Sequence, residues 1–185
     1  MSARLPESLL LDRMPTPIGT MLLVTDDEGK LRALDWDDYE ERLRRVMQRY
    51  YGKSADLRDG TAPEAVRAPL TAYFSGALQA IRSIRTASAG TAFQHQVWAA
   101  LREIPAGTTL SYGALAKRIC RATAVRAVGH ANGDNPICLV VPCHRVIGSD
   151  GSLTGYGGGL ERKRWLLAHE GVAVAEAPEG KRLAV

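Results

Sequence analysis

Residues 137–147 read ICLVVPCHRVI, and no other stretch constrains the fold as strongly. The five consecutive apolar side chains from Ile137 to Val141 leave no polar face, so the segment must be covered on every side, like a buried strand. Pro142 has no N–H to extend a ladder and ends it. Cys143, His144 and Arg145 are therefore expected at the mouth of that strand. A thiol beside an imidazole and a guanidinium is a candidate nucleophile, because nearby positive charge favours the attacking thiolate. A buried cysteine can equally be a small hydrophobe, and Cys138 and Cys120 fit that role. Neighbours in an extended chain point to opposite sides, so the His144 ring would not face the Cys143 sulfur directly. A bent loop or an intervening water would be needed, with a carboxylate orienting the imidazole.

The rest of the chain can build a core around this segment. Its 185 residues are 45% hydrophobic and 24% charged, the balance of a globular protein with one domain or two small lobes. No stretch approaches the roughly 18 apolar residues of a membrane span. The start, MSARLPESLLLDRMPTP, has only a three-leucine patch between acids, unlike a secretory leader. The three cysteines form an odd, late cluster, which argues against a disulfide framework and for a reducing, cytoplasmic setting. They also rule out a four-cysteine zinc site.

Periodicity divides the chain near residue 85. Residues 18–36 predict a β-hairpin turning at Asp27-Glu28-Gly29-Lys30. Tyr39 to Tyr51 predicts an amphipathic helix with Leu43, Val46, Met47 and Tyr50 on one side. Residues 52–62 read as a surface loop, and a second helix should follow Pro63 and stop near Gly76. The segment SIRTASAG, residues 83–90, is the expected linker. Beyond it, Thr91 and Gln94 have capping-box spacing, and Phe93, Val97, Trp98 and Leu101 mark a helical stripe that ends before Pro105 and Gly107. Ser111 is placed to cap a short helix carrying Leu115, Ala116 and Ile119. After a turn at 120–123, Thr123 can cap another helix from Ala124 to Asn132, closed by Gly133.

Two short helices joined by a tight turn form a helix-turn-helix pattern, although any αα-hairpin looks similar. Charge favours the first reading. Between residues 101 and 145, Arg102, Lys117, Arg118, Arg121, Arg126 and Arg145 face only Glu103 and Asp134, whereas residues 1–90 are balanced. Such a cluster suggests a polyanion partner, phosphate being the usual one, or else a merely solvated basic face.

Five segments agree, in order and spacing, with one family. They are SYGALAKRI, AVRAVGHANGDNP, NPICLVV, PCHRVIG and LTGYGGGLERKRWLLAHEG, dense from about Phe93 to Gly171. Together they resemble the O6-alkylguanine-DNA alkyltransferases, the methylated-DNA–protein-cysteine methyltransferases. From about residue 15 to 90 the likeness is looser and rests on TPIG and the hairpin after it. The resemblance implies an α/β (α+β) fold. Residues 1–85 would form a ribonuclease-H-like α+β lobe with a small antiparallel sheet. Residues 90–171 would form a mainly helical helix-turn-helix lobe that binds DNA and accepts the alkyl group, leaving 172–185 as a flexible tail.

The same resemblance assigns roles. Cys143 takes the alkyl group from guanine O6 by in-line displacement and keeps it, so the transfer is irreversible and stoichiometric. His144, a bridging water and Glu170 resemble the relay that removes the thiol proton. Asn135 resembles the brace beneath the nucleophile, and Tyr112 the phenol that assists guanine N3 as the leaving group gains charge. A stacked base hides its O6, so the nucleotide must be flipped out. Arg126 matches the finger that fills the gap, with Ala127 and Gly129 on a small-residue face that lets the helix enter the minor groove. Tyr156, Gly157, Gly158 and Gly159 resemble a lid over the base, while the main chain of Cys143 and Val146 would meet its exocyclic amine.

The expected partner is double-stranded DNA carrying O6-alkylguanine, with O4-methylthymine a further substrate, bound by a monomer that can cluster along DNA. No membrane, cofactor or metal is expected. Some relatives bind zinc in the N-terminal lobe, but this chain has no Cys or His before His95. Some carry Ser where Gly157 stands, which removes a hydroxyl from the lid. Each residue also has a plainer reading: Tyr112 as core, Glu170 paired with Lys163 or Arg164, the glycines as an ordinary loop. Two rival functions are a lesion sensor that binds without chemistry, which would lack the nucleophile, and a cysteine hydrolase, which would turn over without DNA.

Overall fold

Strand β2 (Gly19–Asp26) and strand β3 (Leu31–Trp36) pair antiparallel around the turn at residues 27–30, as the sequence predicts. Asp26 fixes the turn, accepting from the N–H groups of Glu28 (3.0 Å) and Lys30 (2.8 Å), while Gly29 takes the left-handed conformation at φ +71°. The computed structural model describes residues 8–52 and 57–173, so the expected tail lies outside the described residues from 174 onward.

Strand β1 (Leu9–Thr16), which no sequence signal marked, pairs antiparallel with β2. The expected surface loop at 52–62 is corrected in part. Its residues 53–56 lie outside the described ones, but Leu57–Asp59 form β4, parallel to β1, giving the order β3-β2-β1-β4. Three residues are too few to show an alternation, and the open backbone edge of β1 supplies the partner.

Both faces of the sheet are covered. Leu22 and Val24 of β2 join Leu43, Met47 and Tyr51 of helix α1 (Glu40–Tyr51) in one cluster. Met21 and Leu23 face the larger core, with Trp36, Leu70, Tyr73, Val97 and Trp98. Burial on both sides explains why Met21 to Val24 reads as an unbroken apolar run. Helix α2 (Glu64–Phe74) follows Pro63 and ends before Gly76, which sits at φ +100°. The chain then returns along β3, with Leu31 N–H donating to Arg85 O (2.9 Å) and Ala87 N–H donating to Leu31 O (3.0 Å).

Helix α3 (Ala92–Arg102) starts with the expected capping box between Thr91 and Gln94 and buries Val97, Trp98 and Leu101. Strand β5 (Leu110–Ser111) leads into α4 (Tyr112–Arg118), capped by the Ser111 hydroxyl, which accepts from Ala114 N–H. Helix α5 (Val125–Gly133) packs against α3 and α4. Two expectations fail here. Thr123 does not cap α5, because Ala124 is the N-cap residue and its own N–H is taken by Arg121 O (2.8 Å). Cys120 is exposed rather than buried, since it occupies the left-handed corner of the turn at φ +57°.

The largest correction concerns residues 137–141. They are buried, but they are not a strand. Ile137 alone bridges to Leu34, after which the chain curls: Val140 N–H donates to Cys138 O (2.8 Å) and Val141 N–H to Ile137 O (3.0 Å), with Leu139 at φ +71°. An apolar run records burial on all sides, and a curl whose N–H groups find local carbonyls satisfies that demand as well as a strand does. Strand β6 (Val146–Ile147) pairs with β5, and helix α6 (Leu160–His169) closes the described chain. No helix among the described residues is long and apolar enough to cross a membrane.

Candidate active site

One side-chain amide shapes the curl. Asn135 Nδ2 donates to Val141 O (2.8 Å), and its Oδ1 accepts from Ile137 N–H (3.0 Å), so both ends of the curl are held by the residue expected to brace it. The chain then enters a single 3₁₀ turn, Cys143–Arg145, in which all three side chains are buried. At three residues per turn, successive side chains diverge by about 120°. The expected strand mouth is therefore a helical turn, whose geometry still sets the His144 and Cys143 side chains apart.

The His144 ring points to Glu170, just past the end of α6. His144 Nε2 lies 2.9 Å from Glu170 Oε1, which also accepts from the Tyr73 hydroxyl (2.7 Å) and Arg145 Nη2 (2.8 Å). Arg145 Nε donates to Glu170 Oε2 (2.9 Å). Burial would push the Glu170 carboxyl up, but His144 and Arg145 together outweigh it and hold the acid well below the usual carboxylate range. An ionised carboxylate only accepts, so His144 Nε2 carries the hydrogen and Nδ1 presents its lone pair. Burial lowers the His144 pKa despite Glu170, keeping the ring neutral, and Nδ1 hydrogen-bonds no protein atom. A neutral imidazole with a free lone pair is a proton acceptor. The alternative pairings of Glu170 do not occur: Lys163 Nζ donates to Val146 O and Thr154 O (2.6 Å each), and Arg164 pairs with Glu161.

The Cys143 thiol is 3% exposed and pulled down to about 7, first by a hydrogen bond from Cys138, then by Asn135, Arg42 and Lys163, against the upward push of burial. Such a thiol is substantially ionised near neutral pH, as a nucleophile requires.

Tyr156 stands edge-on to His144, ring centroids 6.3 Å apart, and its buried hydroxyl has no hydrogen-bond partner. The two glycines that follow lie directly against side chains from the first half of the chain. A Cβ on Gly157 would overlap the Arg42 guanidinium, and one on Gly158 would overlap the Trp36 indole. The guanidinium cannot easily yield, because it donates to Asp35 Oδ2 (2.8 Å), Gly133 O (3.2 Å) and Asn135 O (3.4 Å). That contact gives the glycine at 157 a steric reason. Arg162 ties the same loop down, bonding Gly158 O (3.1 Å), Ile18 O (2.9 Å) and Asp38 (2.9 Å) over the Trp36 ring.

On the adjoining face, Tyr112, Arg126 and Gly129 line a cavity of about 450 Å³ with Val125, His130 and Thr154. Arg126 and Ala127 are exposed, as are Lys117, Arg118 and Arg121, whereas Gly129 packs against the Tyr112 ring. Val146 is buried in β6. The structure therefore brings Cys143, His144, Asn135, Glu170 and Tyr156 into one cluster and Tyr112, Arg126 and Gly129 into a second. Arg42 and Tyr73 enter only through tertiary contact, and no local pattern could have singled them out, while Arg162 and Lys163 lie in a matched segment but show their partners only in the fold. Among the described residues, no group of three or more His, Cys, Asp or Glu could hold a metal ion.

Comparison with known proteins covers most of the chain. The family model for the 6-O-methylguanine DNA methyltransferase ribonuclease-like domain matches residues 11–87, and that for the DNA binding domain of the same proteins matches residues 92–172. The methylated-DNA–protein-cysteine methyltransferase of Shigella flexneri is 46% identical over 164 residues, covering 88% of this chain and 96% of that protein. Its namesake from Salmonella typhi is 47% identical with the same coverage. Among solved structures, Mycobacterium tuberculosis OGT in complex with DNA superposes with a TM-score of 0.72 at 36% identity, covering 87% of this chain and 92% of that one.

Proposed function

The chain belongs to the 6-O-methylguanine DNA methyltransferase family, and from that premise we propose that it repairs O6-alkylguanine in DNA, and O4-methylthymine, by irreversible transfer of the alkyl group to Cys143. One observation carries the assignment of the acceptor: a buried, acidified thiol beside a neutral imidazole whose other nitrogen is held by an ionised carboxylate.

The chemistry follows from those groups. The Cys143 proton passes through a water to His144 Nδ1, and the resulting imidazolium is stabilised by Glu170. The thiolate attacks the alkyl carbon in line, the S–C bond forms, and the C–O6 bond breaks with its electron pair left on guanine. Tyr112 eases that charge by donating toward N3. Tyr156, Gly157 and Gly158 cover the base, and the main chain of Cys143 and Val146 reads its exocyclic amine. The thioether has no route back, so each molecule acts once, without cofactor or metal.

Residues 90–171 form the unit that binds DNA, with residues 1–85 as the supporting lobe, and α5 enters the minor groove through Ala127 and Gly129. The protein works in the cytoplasm as a monomer that can line up along DNA. Incubation with O6-methylguanine duplex should add a single methyl to the Cys143 peptide, saturating at one per chain by mass spectrometry. Continued product formation beyond one equivalent would instead point to a hydrolase.

Arg126 fills the space left by the flipped base. Unstacking costs a few kcal/mol, and each 1.4 kcal/mol is tenfold in a constant. Arg126→Ala should therefore slow repair of duplex lesions by about tenfold or more, while leaving reaction with free O6-benzylguanine within about twofold. Single-turnover rates on the two substrates check this, and equal losses would refute the finger role.

A further inference from the structure

Helix α2 reaches the proton relay from the first half of the chain, and the mechanism above gives it no part. Val66, Leu70 and Tyr73 share its buried face, at the i, i+4 and i+7 positions, and Tyr73 is completely enclosed. The Tyr73 hydroxyl donates to Glu170 Oε1 (2.7 Å), the same oxygen that lies 2.9 Å from His144 Nε2. The Tyr73 main chain holds the preceding residue of α6: His169 Nε2 lies 2.8 Å from Tyr73 O, and the two rings meet edge-on with centroids 5.2 Å apart. One residue of α2 thus grips two consecutive residues at the end of α6, the second of them the carboxylate behind the base.

We propose that Tyr73 is a positioning residue for the proton relay: its hydroxyl holds Glu170 Oε1 against His144 Nε2, which keeps Nδ1 free to take the thiol proton. The inference rests on the reading of Cys143 as acceptor and His144 as its base. Glu170 is the C-cap residue of α6, where the helix stops constraining the chain, and its side chain has several rotatable bonds. Its side-chain donors are His144, Arg145 and Tyr73. The first two belong to the same three-residue turn as the nucleophile, so Tyr73 is the donor that ties the carboxylate to a separate element. A base is only as well aimed as the group that orients it.

A neutral donor suits the task. Burial pushes the Tyr73 phenol far above its ordinary range and the Glu170 carboxylate pushes it further, so the hydroxyl keeps its proton and always donates. A further cation there would hold the carboxylate equally well, but it would repel the imidazolium that forms when His144 takes the proton. The ionisable and charged groups around the relay come from every element packed on it. They are Tyr73 from α2, Arg145 from the turn, Lys163 and His169 from α6, Tyr156 from the lid and, beside the thiol, Arg42 from α1. All but Tyr73 stay unchanged when Tyr73 alone is replaced, so a difference between two pH profiles isolates its hydroxyl.

The test is a pH profile on the full-length chain. Transfer from free O6-benzylguanine, which needs no DNA, is followed in single turnover, and labelling of Cys143 by iodoacetamide is followed in parallel by mass spectrometry. Tyr73→Phe keeps the ring and its contacts with Phe74 and His169, and Tyr73→Met fills much of the space with a flexible apolar chain; neither can donate. At about pH 6.5 both should react about tenfold more slowly than wild type, the worth of one hydrogen bond to a charged group. The loss should fade by about pH 9, above the roughly 8.5 of an ordinary thiol, where Cys143 ionises without help from a base. In a His144→Gln background, Tyr73→Phe should cost less than about twofold more, because it acts through the imidazole. Wild-type rates in both donor-free variants overturn the proposal. So does a loss of equal size at every pH, or one that multiplies fully onto His144→Gln, since either marks a merely structural role. Failure of wild type to take up the benzyl group would sink the acceptor assignment instead, and the iodoacetamide profiles would still judge Tyr73.

Discussion

A Cys143→Ala variant will take up no methyl from O6-methylguanine duplex, against one per chain for the wild type, while still binding that duplex. The loss should be complete because no other atom can take over. Cys138 is buried, with burial helping to push its thiol well above the usual range, and Cys120 lies exposed at the corner between α4 and α5. Removing one sulfur from a buried site costs about 1 kcal/mol of packing, too little to unfold the chain. Arg126 and Tyr112, proposed above to meet DNA, line a separate cavity outside the Cys143 turn and should keep their places. Mass spectrometry of the digested protein reads the first half of the prediction, and fluorescence anisotropy of a labelled duplex reads the second. A methyl found on another side chain of the variant, or loss of DNA binding with the sulfur, would remove Cys143 from the centre of the mechanism.

Glu170→Gln should be the most damaging change that preserves shape. The carboxylate receives His144, Arg145 and Tyr73 at once, within a site where Glu170 itself is 4% exposed. An amide leaves the Arg145 guanidinium without its counter-charge, and breaking one partner of a buried pair costs about 3–5 kcal/mol. For a chain of this size that lowers Tm by about 6–20 °C. Chemistry suffers too, because the amide no longer supports the imidazolium. General-base assistance contributes about 10²–10⁴ in rate, and most of it should go. Acid sensitivity gives a third readout. The Glu170 pKa is depressed on folding, so its stabilisation is full above the unfolded value of about 4.3 and is lost as pH falls below it. Wild type should lose stability steeply on acidification below about pH 5, and the variant less so. Thermal melts at neutral and acid pH, with single-turnover transfer rates, test all three. A variant with the wild-type Tm and acid limb would mean that Glu170 is not the keystone of this network.

Much of this site was legible in the sequence because the chain writes its local chemistry locally. Thr91 with Gln94 spelled a capping box, Ser111 a helix start, and Gly29 the hairpin corner, each a short-range hydrogen-bonding or conformational demand. Cys143 and His144 were legible as a local pair, whereas Asn135 and Glu170 were reached only through the family resemblance, Glu170 lying far along the chain from His144. What could not be read has a common cause. The curl at 137–141 and strand β4 depend on which backbone partner is nearby, and burial alone does not say. Tyr73 on α2 and Arg42 on α1 belong to the site only because the sheet and its helices carry them there, from residues whose own neighbourhoods are ordinary amphipathic helix. Cys138 fits the buried, core-packed role that its apolar run implies, whereas Cys120 does not.

The contact between Arg42 and Gly157 ties the choice of one side chain to the other. A hydroxymethyl group at 157 would meet the guanidinium at 42, which Asp35, Gly133 and Asn135 hold in place. The two positions are sterically coupled, so a side chain at 157 needs the guanidinium to give up its place. Exchanging the lid with that of a serine-bearing relative would require a matching graft in the first helix.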